Sequence, residues 1–108
     1  MSKIPDEVKK EMENDPFYKK CCIGNHECSG RVEWHHNMIY QGRQVQEKFC
    51  ILPVCHYHHE HEKDKEIGEM LDFIMLSRAT QADLKRFSKV IDYTYQLARL
   101  SEIYEYHI

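Results

Sequence analysis

Between Arg31 and Glu62 the chain places six of its 8 histidines and two of its 5 cysteines. Trp34-His35-His36-Asn37 stands near the start of this stretch, and Pro53-Val54-Cys55-His56-Tyr57-His58-His59 near its end. Imidazole and thiolate are the usual nitrogen and sulfur ligands of zinc and related metals. A histidine pair, a linker of about twenty residues, then a cysteine with further histidines is a spacing that can close around a metal ion. The rest of the chain reads as scaffold for that site.

Cys55 and the residues after it meet no Gly or Pro until Gly68, so a helix is expected to start there. A helix turns ~100° per residue, which puts Cys55 and His58 on one face and points His59 elsewhere. One ion cannot easily take both histidines. The spacing predicts two sites back to back, with Cys55 and His58 closing a structural zinc site and His59 serving a second metal. The missing zinc ligands should come from the Cys-rich segment 17–30, most simply Cys22 and Cys28, with Cys21 or His26 able to replace either. Cys21 and Cys50 otherwise read as small buried hydrophobes.

Arg31 to His36 alternates as a strand does, with Val32 and Trp34 on one face and Glu33 and His35 on the other. His35 and His36 then point to opposite sides. One can bind the second metal beside His59 while the other acts as a base or hydrogen-bond donor, work that a neutral imidazole suits. Phe49 to Val54 reads as a second strand antiparallel to the first, with Pro53 confining it to an edge or end, and 37–46 as a loop around Gly42. His56 and His61 read as exposed helix positions, and Tyr57 as a packing or capping residue.

Elsewhere, Pro5 followed by Asp6-Glu7 predicts a short helix ending before Pro16. Ile67, Met70, Leu71, Ile74 and Met75 recur at helical spacing, so the helix after Cys55 continues or restarts to about Ser77. Thr80 and Asp83 resemble a capping box. Leu84, Phe87, Ile91 and Ala98, widened by Val90, Leu97, Leu100 and Tyr104, give a long C-terminal helix its apolar face. The fold class is α+β: a single domain over 1–108, a zinc-stapled core over 21–62, and a C-terminal helical extension over 66–108. No apolar run approaches the ~20 residues of a membrane span, and Met1 to Asp6 has no signal-peptide character. The expected compartment is the cytoplasm, where cysteines point to metal before disulfides. A net charge of -3 neither favours nor excludes nucleic acid.

Trp34-His35-His36-Asn37, Gly42 and Ile51-Leu52-Pro53-Val54-Cys55-x2-His58-His59 together resemble the HNH endonucleases, in the zinc-containing version common in phages and prophages. The resemblance runs from about Cys21 to Glu62. It implies a ββα-metal fold with His35 as catalytic-metal ligand, His36 as general base, Cys55 and His58 as zinc ligands, and His59 as second ligand of the catalytic ion. The His-His doublet is also similar to that of colicin-type nucleases. Two departures stand out: Cys50 occupies the place of the family's middle Asn, and Lys63 stands where a histidine four residues after His59 would be. That leaves two firm protein ligands for the catalytic ion, an arrangement that Mg²⁺ or Mn²⁺ tolerates.

The expected function is metal-dependent hydrolysis of DNA phosphodiesters, with Arg31, Arg43 and Lys48 as candidates to hold phosphate oxygens. The chain would be a monomer, or a homodimer through its C-terminal helices, where Tyr93, Tyr95, Tyr104 and Tyr106 add apolar surface. The competing reading is a non-catalytic, zinc-stabilised module that binds nucleic acid or protein and owes nothing to His36. A zinc deaminase would need H-x-E ahead of Pro-Cys-x2-Cys, and here His58-His59-Glu60 comes after Pro53 and Cys55.

Overall fold

A computed structural model describes residues 4–87 and 92–104. Its centre is an antiparallel pair, β1 (Val32–His36) and β4 (Ile51–Cys55), in the register Val32 to Cys55 through His36 to Ile51. Between them, 37–46 is more than a loop. It holds a small hairpin, β2 (Ile39–Tyr40) and β3 (Arg43–Gln44), turned by Gln41 and Gly42, both at positive φ (54° and 78°). Two residues at positive φ make the turn whose twist matches a two-residue hairpin, and glycine takes the second place without steric cost.

β4 is buried along its whole length. Because successive side chains leave a strand on opposite faces, Leu52 and Val54 enter one apolar cluster and Ile51 enters another. The smaller cluster is closed by Met12 of helix α1 (Asp6–Glu13), by Trp34, and by Tyr18 of a 3₁₀ turn over Pro16–Lys19. Tyr18 donates its hydroxyl toward the carbonyl oxygens of Lys48 and Ile51, at 2.7 and 2.8 Å. Asp15 caps that turn by accepting from the Phe17 N–H. It also pairs with Lys48 at 2.9 Å and with Arg78 at 3.4 Å, while the Arg78 guanidinium lies 3.6 Å over the Phe17 ring. Pro5 stands just outside α1 as its N-cap.

The larger cluster belongs to the C-terminal half. Helix α2 (His56–Glu60) is short, and the chain restarts as α3 (Lys65–Arg78), which buries Leu71, Phe73, Ile74, Met75 and Leu76. The expected single C-terminal helix is two: α4 (Gln81–Phe87) and α5 (Tyr93–Tyr104). Asp92 opens the second of them. It is not helical, and its carboxylate accepts from the Tyr95 N–H at 3.1 Å as a cap for α5. The capping box at Thr80 and Asp83 forms reciprocally, at 3.0 and 3.1 Å. Val90, Ile91 and Tyr106 lie outside the described residues. Tyr93, Leu100 and Tyr104 are buried within the chain, while Tyr95 and Ile103 are exposed. Among the described residues no helix is long and apolar enough to cross a membrane.

The fold is thus a small α+β one, with five α-helices and short antiparallel sheets among the described residues. Leu52 is fully buried and pairs with His35 across the sheet. Leu52→Ala should therefore cost about 2–5 kcal/mol, measured as a shift of the urea midpoint at unchanged slope. A loss below about 1 kcal/mol would contradict the core described here.

Candidate metal centres

Helix α2 has five residues and cannot stand on its own propensity. Its first N–H groups lack intrahelical partners, and each finds one outside. The His56 N–H donates to Arg31 O at 2.9 Å and the Tyr57 N–H to Ser29 O at 3.1 Å. The His58 N–H donates to the Cys55 sulfur at 3.5 Å, so Cys55 ends β4, caps α2 and aims its thiol inward. Gly30 allows the crossing. It sits at φ +84°, and a Cβ there would lie 2.7 Å from the Cβ of His56.

This packing gathers Cys21, Cys28, Cys55 and His58 with their ligand atoms within 4.8 Å of one another, a group that could hold a metal ion such as zinc. Around His58 Nδ1 the three sulfurs stand at 3.1 Å (Cys55), 3.6 Å (Cys21) and 3.7 Å (Cys28). Zn–S bonds of about 2.3 Å and Zn–N bonds of about 2.05 Å at a tetrahedral angle separate sulfur from nitrogen by about 3.6 Å. The donor set fits that ion. All five cysteines are free thiols. Burial keeps His58 below its ordinary pKa and neutral, and pushes the Cys28 thiol up to about 11. Burial opposes the Cys55 thiolate too, but N–H groups of His58 and Ser29 and the neighbouring thiols outweigh it and draw its pKa down.

Cys21 stands in this group in the place predicted for Cys22. The Cys22 N–H donates to Pro53 O at 2.8 Å, laying this segment along the outer edge of β4. Both cysteines pack against the larger apolar cluster, but it is the Cys21 thiol that meets His58, while burial raises the Cys22 pKa to about 12. Cys50 is fully buried, as its hydrophobic reading requires.

The second group is His35, His59 and Glu62, again with ligand atoms within 4.8 Å. The rings of His35 and His59 lie 5.2 Å apart. Each imidazole has one nitrogen committed elsewhere: His35 Nε2 donates to Asn37 Oδ1 at 3.0 Å, and His59 Nδ1 to Glu33 Oε1 at 2.7 Å. The remaining nitrogens turn toward Glu62. Its Oε2 lies 2.8 Å from His35 Nδ1 and 3.6 Å from His59 Nε2, yet is buried without a hydrogen-bond partner. A divalent cation among these two imidazole nitrogens and the carboxylate oxygen would be held by all three. Bonds of about 2.1 Å at right angles separate donors by about 3.0 Å, so the set fits a small divalent ion. Burial, above all, holds the His35 pKa below its ordinary value and keeps the imidazole neutral. Hydrogen bonds from His59 and then His56 hold the Glu33 carboxyl down to about 2.

His35, His59 and Glu62, with His36, Asn37, Gln44 and Lys63, line a cleft of about 470 Å³. His35 and His36 divide their partners, for His36 Nε2 donates to Gln46 Oε1 at 2.9 Å. His56 is exposed and paired with Glu33 and Glu60, and Tyr57 stacks on His61 at 4.2 Å. Of the basic candidates, Arg31 pairs with Glu33 at 3.3 Å, Lys48 is committed to Asp15, and Arg43 is exposed on the hairpin. Lys63 lines the cleft in their stead. Sequence reasoning missed Glu62, Glu33, Gln46 and Lys63. Only Glu62 carried a signal, as an acidic residue three positions after His59.

Comparison with family models, with curated proteins and with solved structures finds no match to this chain.

Metal analysis of purified protein should find about one tightly held zinc per chain. Cys21→Ser should lose it while Cys22→Ser retains it. The reverse pattern would overturn the ligand set described here.

Proposed function

We propose that the chain is a metal-dependent DNA endonuclease of the HNH type. On this reading β1, β4 and α2 form a ββα-metal core. Cys21, Cys28, Cys55 and His58 hold a structural zinc, and His35, His59 and Glu62 hold a catalytic Mg²⁺ or Mn²⁺. One observation carries the reading: a three-donor group that could hold a cation and a further histidine, His36, line the same cleft. A zinc-stapled binding module has no need of that second group.

The chemistry follows from the hydrogen bonds. On this reading His36 Nε2 carries its proton toward Gln46 Oε1, 2.9 Å away, and Nδ1 keeps its lone pair. His36 Nδ1 takes a proton from water as that water attacks the scissile phosphorus in line. His35, His59 and Glu62 would hold a divalent ion, which would supply charge stabilisation to the phosphate and to the departing oxygen. Lys63 at the cleft wall holds a phosphate oxygen, and exposed Arg43 meets the backbone further along the duplex. The resemblance to HNH nucleases implies 5′-phosphate and 3′-hydroxyl products. The same resemblance makes a phage or prophage origin part of the proposal.

The test is a plasmid-nicking assay on zinc-loaded protein, with and without added Mg²⁺ or Mn²⁺. His36→Ala should lower cleavage by roughly 10²-fold or more, the loss expected for a general base, with zinc content and melting temperature unchanged. Full activity in that variant would leave the non-catalytic zinc module as the reading.

The cation group generates a separate expectation. His59→Ala and Glu62→Ala should each abolish stimulation by Mg²⁺ or Mn²⁺ while zinc stays bound, because His59 and its neighbour His58 serve different groups. Loss of zinc in His59→Ala would mean the two groups are not distinct.

A further inference from the structure

Asp72 is a carboxylate on α3 set among Leu71, Phe73, Ile74 and Met75, all buried in the larger core. An acidic group in such a stretch costs stability unless it is hydrogen-bonded, and Asp72 Oδ1 accepts from Asn37 Nδ2 at 3.0 Å. Asn37 is held twice more, by its own N–H on Cys50 O at 2.8 Å and by Nδ2 lying 3.6 Å from Met75 Sδ. Its Oδ1 is left facing His35 Nε2 at 3.0 Å.

The sign of the charge makes this arrangement directional. A carboxylate accepts and cannot donate, so Asp72 fixes which end of the Asn37 amide faces it. The amide oxygen must then face His35. An oxygen there takes N–H at Nε2, and with a cation held against Glu62 the lone pair of Nδ1, 2.8 Å from that carboxylate, faces the ion. We infer that Asp72, acting through Asn37, is a positioning residue that locks His35 in the tautomer able to ligate a cation, so that α3 forms part of the catalytic centre. The inference rests on the proposed cation group at His35, His59 and Glu62. Acceptors behind metal-bound imidazoles are the usual device for fixing ring and tautomer; here the device extends one residue further, into the helical extension.

Two measurements on zinc-loaded protein test it. In two-bond ¹⁵N–¹H correlation spectra with Mg²⁺ added at pH about 8, where imidazole is neutral, wild-type His35 should be the Nε2–H tautomer. It should become a tautomer mixture in Asn37→Leu and in Asp72→Ala. Mn²⁺ titration followed by electron paramagnetic resonance should show the dissociation constant rising about 10- to 100-fold in Asn37→Leu and about 3- to 10-fold in Asp72→Ala. Asp72→Asn keeps an acceptor oxygen and should recover most of the loss. Adding Asp72→Ala to Asn37→Leu should cost nothing further, since the relay is already cut. Asp72→Ser serves the same purpose if the alanine variant does not fold. A locked tautomer and wild-type Mn²⁺ affinity in both the Asn37 and Asp72 variants would overturn the relay alone. A wild-type protein that binds no Mn²⁺ would overturn the cation group, and the ligand role given to His35 with it.

Discussion

Helix α2 is held in place by its surroundings, and the rest of the site follows from that. Five residues gain too little from their own hydrogen bonds to offset the cost of nucleation. The helix persists because Arg31 O, Ser29 O and the Cys55 sulfur take its leading N–H groups, and because His58 is packed among three thiols. A metal ion bound there would add its affinity directly to folding, since the unfolded chain has no such group. The two residues that matter most to the proposed chemistry, His59 and Glu62, are placed by the same short helix and its exit turn.

The phase of α2 was legible in the sequence because it is a local property. One residue's step separates His58 from His59 whatever surrounds them, and each joins a different group of potential ligands. The choice between Cys21 and Cys22 was not legible. It depends on the Cys22 N–H meeting Pro53 O, a contact between residues far apart in sequence that no local pattern encodes. Glu62 was hidden for a related reason. Helical spacing directs attention to Lys63, four residues after His59, but α2 ends at Glu60, and past its end Glu62 swings back toward the rings. The C-terminal region misled in the opposite sense. Its apolar period runs on past Phe87, where α4 ends, and into α5, which Asp92 caps. The alternation of β1, by contrast, carried over into the structure, with Glu33 and His35 both reaching toward α2 and its exit.

The electrostatics of the cleft bear on how a polyanion would be received. The chain carries a net charge of -3, and Glu62 lies at the cleft with Glu33 just behind His59. Without a cation these carboxylates would repel a phosphate. A bound divalent ion is the largest local charge in such a site and reverses its sign. On the proposed reading, then, substrate binding depends on the cation as much as chemistry does, and Lys63 alone among the described lining residues adds fixed positive charge at the cleft wall.

The two groups are therefore not equal partners. His35 is carried on β1, braced by Asn37 from one side and paired with buried Leu52 across the sheet. Emptying the second group leaves these supports intact, and leaves α2 tied at His58. On the proposed reading, emptying the first group would leave α2 tied to the 21–28 segment mainly by the Tyr57 hydroxyl on Glu27 Oε2, and the helix that carries His59 would lose a principal anchor. On that reading dependence would run one way, from the four-residue group to the three-residue one, an order that would suit a catalyst with one permanent ion and one that exchanges with solvent. Thiolates and imidazole in a tetrahedral closed shell leave no position open to water, whereas two imidazoles and one carboxylate leave several. The geometry of each donor set thus divides the labour, with the closed group shaping the helix and the open one facing the cleft.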